Sequence, residues 1–235
     1  MINPSDKDYI ETRLIKQGKR KMNSDFLLLA EWINSTFNVL VINIFYDTID
    51  KTDNRPRLTI IFEYQKDELK FRNGYIGNFD KKKQKTIADK FRELVNKEIR
   101  LKSFIAKLFK NSSYLKYDTD NLFVVFASFE PIAKDEANSK IPENEIQKLK
   151  IKLGLSDLWE IYRQYSSTTF FFNTESQIEE YSKNGTKEEL SKNYFNLLNK
   201  YDEFGYFNNE TFSILLDSKE NFDKKYGSSW FYYSR

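Results

Sequence analysis

The 235-residue chain contains no histidine and no cysteine. Imidazole or thiolate catalysis, a Ser-His-type triad, a disulfide framework and a zinc site of the usual ligands are all excluded. Glycine and proline are scarce, at 7 and 4 residues, which leaves little room for flexible linkers or low-complexity segments. No apolar run approaches the roughly 18 residues needed to cross a bilayer, and residues 1–17 carry charges where a secretory signal would be apolar. No export or membrane insertion is expected, and the absence of cysteine fits the reducing cytoplasm.

What is present points to an ordered chain. Hydrophobic residues make up 40% and aromatic residues 17%, mostly 21 Phe and 15 Tyr, enough to build a sizeable core. The richness in Lys, Asn, Ile, Phe and Tyr resembles the usage of an AT-rich bacterial genome. The net charge of +3 is unevenly spread: residues 1–80 are neutral, residues 81–110 carry +8 and residues 111–235 carry −5.

Ser5-Asp6-Lys7-Asp8 has the form of a capping box and predicts a helix to about Gln17. A second helix is expected from Ser24, and residues 38–46 (NVLVINIFY) read as a buried strand. Residues 57–65 (RLTIIFEYQ) form a second strand, and Leu69 and Phe71 extend the alternation into a hairpin. Residues 80–110 hold neither Gly nor Pro and repeat apolar residues at spacings of three and four, which predicts a long basic helix. Residues 121–129 then return as a strand.

Residues 131–145 are polar and carry two prolines, so a linker or long surface loop is expected there. Beyond it the pattern predicts helices at 143–153 and 156–165, a strand at 168–172, helices opening at Thr174 and Thr186, a strand at 211–216, a short helix at 220–226 and a terminal strand at 230–233. No internal repeat is legible in the sequence. The expectation is an α+β fold, with a mainly antiparallel or mixed sheet covered by helices, arranged as lobes 1–130 and 146–235 of similar α/β content or merged into one domain.

Three constellations bear on function. Asp47, Asp50 and Asp53 follow the first strand, and Glu63 and Gln65 lie on one face of the second, with Lys66 next. An acidic residue followed by an acidic-x-Lys pair resembles the restriction-endonuclease-like nuclease pattern, which implies Mg²⁺ held by Asp47, Asp53 and Glu63 and a phosphodiesterase activity. The departure is that Gln65 stands where that pattern has Lys. Two weaker motifs are Asp118-x-Asp120 and Gly74-x-x-Gly77, neither in the chain context that a nucleotide-sugar site or an RNA-binding KH loop requires.

The second constellation is the cluster Lys81, Lys82, Lys83 and Lys85, at the end of a helix where the dipole is already positive. It suits an acidic protein or, less well at a chain pI of 8.7, nucleic acid; the alternative is a solvated helix face. The third is the aromatic run with Trp230, Tyr232 and Tyr233, either buried on both faces or available for recognition. With no catalytic motif, a non-catalytic protein-binding module of the bacterial immunity or antitoxin kind is the leading expectation. The Mg²⁺-dependent phosphodiesterase and the nucleic-acid-binding protein stand as alternatives.

Overall fold

A computed structural model describes residues 3–49, 54–74, 77–109 and 117–234, with the side chains of 98–109 left undescribed. The fold is α+β, with two mixed three-stranded sheets, each in its own compact unit, residues 1–130 and 131–235. No helix among the described residues is long and apolar enough to cross a membrane.

The first unit runs α1 (Lys7–Lys16), a 3-10 turn (Ser24–Phe26), α2 (Leu27–Phe37), β1 (Val41–Thr48), β2 (Pro56–Phe62), α3 (Gln65–Leu69), α4 (Lys81–Phe109) and β3 (Phe123–Ser128). β1 pairs antiparallel with β2, and β2 pairs parallel with β3. On one face Ile44, Leu58, Ile60, Phe62, Val124 and Phe126 meet Leu29 and Ile33 of α2 and Ile87, Phe91 and Val95 of α4. Burying side chains of this size is worth roughly 1.5–3 kcal/mol each, so this face supplies the main stabilisation of the unit.

The second unit runs α5 (Glu130–Ser139), α6 (Glu143–Leu153), β4 (Leu158–Gln164), β5 (Ser167–Phe172), α7 (Glu175–Tyr181), α8 (Thr186–Leu198), β6 (Leu215–Ser218), α9 (Lys219–Tyr226) and α10 (Trp230–Tyr233). Again the first two strands are antiparallel and the third returns parallel to the second. Phe170, Phe172, Ile161, Leu190, Tyr194 and Leu198 form its core.

Helix, helix, antiparallel strand pair, helix, helix and parallel strand therefore occur twice, a repeat that the sequence does not disclose. The likeness extends to detail. Both first strands carry a bulge, at Val41/Asn43 and at Leu158/Glu160. In each, the side chain of the bulge residue accepts the next backbone N–H, Asn43 from Ile44 at 2.9 Å and Glu160 from Ile161 at 2.8 Å. α2 and α6 both end on a left-handed residue, Asn38 and Gly154. A glutamate at the start of the helix after each third strand caps the first helical residue after each second strand: Glu130 takes Gln65 N–H, and Glu220 takes Glu175 N–H. The buried spacing Ile87-Phe91-Val95 of α4 matches Leu190-Tyr194-Leu198 of α8.

Several local expectations are corrected. The capping box at Ser5 does not form; Asp6 is the N-cap of α1, without a side-chain cap bond. Residues 69–71 do not continue a hairpin, because α3 follows β2. The expected linker at 131–145 is instead α5 and the start of α6. Pro131 lies in the first turn of α5 and Pro142 at the N-cap of α6, positions where a missing N–H costs no helical bond. Residues 158–164 are strand rather than helix, and 230–233 are a helical turn rather than a strand.

Candidate functional site

Asp47 lies near the hairpin end of β1, where Arg57 forks onto both of its carboxylate oxygens. Asp8 of α1 is close by; burial, and then the Asp47 charge, push its carboxyl above the usual range. Glu63 follows the last residue of β2, at the opposite end of the sheet. Six residues of extended chain from Arg57 to Glu63 span about 20 Å. Glu63 is buried and takes the Lys16 ammonium at 2.6 Å. Asp47 and Glu63 are therefore not brought together, and Asp50 and Asp53 lie outside the described residues. Among the described residues no three or more Asp or Glu side chains converge as a metal site would require.

Neighbouring carboxylates are used structurally. Asp67 accepts Leu40 N–H and pairs with Lys70, while Glu68 holds Arg72 and accepts the Ser128 hydroxyl at 2.7 Å. Gln65 and Lys66 begin α3 rather than continuing a strand face. Asp118 Oδ1 accepts Asp120 N–H, a local turn, and Tyr75 and Ile76 between Gly74 and Gly77 lie outside the described residues.

The lysine cluster occupies the first turn and a half of α4. Asp80 precedes it and accepts the Lys82 and Lys83 N–H groups on Oδ1, placing a negative charge where the helix dipole is positive. Lys83 turns inward to the Lys70 carbonyl, over the Phe71 ring. Lys85 pairs with Asp89 on the next turn. Lys81 and Lys82 are exposed and make no ion pair with another described residue.

The aromatic residues near the C-terminus divide. Trp230 lies stacked at 4.5 Å on Tyr162 and 5.8 Å on Trp159, and 4.3 Å from Phe222. Tyr233 packs on Phe171, and burial, then its bond to Asp217, push its hydroxyl pKa upward. These two cover the second face of the β4–β5–β6 sheet. Tyr232 and its neighbour Phe231 are exposed.

A groove along β1 was not picked out from the sequence. It has a volume of about 340 Å³ and runs beside Asn43, Ile44, Phe45 and Tyr46, with Glu11 and Ile15 of α1 and Arg20, Lys21 and Asn23 of the following loop on its other side. The available signal was the stretch from Arg13 to Ser24, which holds five basic residues and no acid; the neutral total of residues 1–80 concealed it.

No protein-family model, curated protein or solved structure gives a significant match to this chain.

Proposed function

We propose that the chain is a non-catalytic, cytoplasmic protein-binding module that occludes an acidic partner, in the manner of an immunity or antitoxin protein. The observation that carries this reading is the display of Lys81, Lys82 and Lys85 at the exposed start of α4. The Asp80 cap makes that cluster tolerable to the helix, and two of its three charges have no ion-pair partner among the described residues. Fixed surface charge of this kind raises association rates and selects partners by complementarity. The engagement of Asp47 by Arg57 and of Glu63 by Lys16 supports recognition over carboxylate chemistry.

Affinity capture from the native cell with the full chain tests the proposal. A single protein recovered in near-stoichiometric amount supports it. Recovery of nucleic acid alone, with binding that weakens steeply as salt rises, would replace it with the nucleic-acid reading. Mg²⁺-dependent cleavage of a polynucleotide by the purified chain would replace it with the phosphodiesterase.

A further inference from the structure

The β1 groove is bounded by an open sheet edge, and the backbone register says which groups it offers. Ile49 N–H donates to the Arg55 carbonyl at 3.0 Å. Counting back along the antiparallel pair, Asp47/Arg57, Phe45/Thr59 and Asn43/Ile61 exchange backbone bonds. Ile44, Tyr46 and Thr48 must then direct N–H and C=O away from β2, toward the side of β1 that carries no strand among the described residues. The start of this edge is closed by side chains: Asn34 takes Val41 N–H at 2.8 Å and Asn43 takes Ile44 N–H. From the Ile44 carbonyl to Thr48 no such cap is present among the described residues.

The second unit treats the same edge differently. Three residues beyond the bulge, counted from Asn43 and Glu160, the first unit has Tyr46 and the second has Arg163. Its guanidinium donates to the carbonyls of Asn138 at 2.9 Å and Ile141 at 2.7 Å, tying β4 to the end of α5 and the loop that follows. Tyr46 instead turns into the core, and its hydroxyl meets the Asp118 carbonyl. The loop after α1 is also longer than the one after α5, and the groove of the first unit runs between that loop and β1.

The charge around that groove names its occupant. Lys19, Arg20 and Lys21 are exposed on the loop, and Lys19 and Lys21 form no ion pair with another described residue. Arg20 reaches Glu11 at 3.5 Å, with more than half of its side chain in solvent. An open row of backbone donors and acceptors selects an extended chain, and the basic loop facing it selects acidic side chains.

We propose that the free edge of β1 takes an extended acidic segment of the partner protein, which adds to the first sheet as a fourth strand. This rests on the protein-binding reading and specifies where, and in what conformation, the partner is held.

Two blocked hexapeptides, alternating Glu-Val and alternating Lys-Val, are titrated into the ¹⁵N-labelled full chain. The Glu-Val peptide is expected to shift the amides of Ile44, Tyr46, Thr48 and Arg20 and to slow hydrogen exchange at Tyr46 and Thr48; the Lys-Val peptide is expected to do neither. Replacing Arg20→Glu together with Lys21→Glu should weaken the acidic peptide about tenfold or more. Thr48→Pro, which removes an outward N–H without touching the ladder to β2, should weaken it as well. Equal binding of both peptides, shifts elsewhere only, or indifference to these substitutions would overturn the site. A captured cellular partner that stays bound to the Arg20→Glu, Lys21→Glu chain would overturn it too, while leaving the protein-binding reading in place.

Discussion

Asn138 is almost fully buried and spends both ends of its amide: Nδ2 donates to the Tyr165 and Ser167 carbonyls, and Oδ1 accepts the hydroxyls of Tyr194 at 2.6 Å and Thr168 at 3.3 Å. Burial pushes the Tyr194 hydroxyl pKa up to about 12, which keeps it a neutral donor. Asn138→Leu leaves those groups without water or partner and should cost about 3 kcal/mol or more by urea unfolding, against about 1 kcal/mol for Tyr194→Phe. Lys16→Met removes the ammonium from buried Glu63 and should cost about 3 kcal/mol; a loss below about 0.5 kcal/mol would mean that solvent already screens the pair. Asp8 has the opposite sign. Its folded pKa lies above the ordinary 3.8, so its contribution is complete below that value and is lost as pH rises through the folded pKa. Asp8→Asn should therefore stabilise the chain at neutral pH, with the advantage vanishing below about pH 4 in a pH series of melting curves.

At the level of elements, β1, β2, β3, β5 and the long helix were legible from apolar period and β-branched density, and a helix opens after Thr174 as the sequence predicts, on a capping box with Gln177. β4 was not, for a physical reason. Its bulge inserts a residue between Leu158 and Ile161, so two core positions stand three apart and read as a helical spacing. The Trp230–Tyr233 segment has high strand propensity, but no sheet edge receives it, and the stacking of Trp230 on Tyr162 and Phe222 decides its conformation instead. The β4–β5 turn carries a removable strain. Tyr165, exposed and at φ 52°, is the first central residue of a two-residue hairpin, a position that favours glycine. Tyr165→Gly should raise stability by about 1 kcal/mol.

Across the whole chain, the repeated arrangement was hidden because, apart from the Glu130 and Glu220 caps, what recurs is topology, conformation and bulges rather than residue identity: Asn43 against Glu160, Asn38 against Gly154, Phe91 against Tyr194. Each pair does one physical job with different chemistry, so a search for like residues passes over it. The candidate sites were legible as charge and not as geometry. The sequence singled out Lys81, Lys82, Lys83 and Lys85 as equals, whereas folding turns Lys83 inward and pairs Lys85. It grouped Asp47, after the first strand, with Glu63, on a face of the second, through an acidic pattern, although β2 separates their positions to opposite ends of a sheet. Arg20 and Lys21 gain meaning only once the chain brings their loop beside β1. The central claim, recognition of an acidic protein through displayed lysines, is tested most directly by quantitative capture from native cells with the unaltered chain and with Lys81→Glu, Lys82→Glu, Lys85→Glu. One protein in near-stoichiometric amount is expected on the unaltered chain and its loss from the charge-reversed one; equal recovery on both would rule out recognition through these lysines.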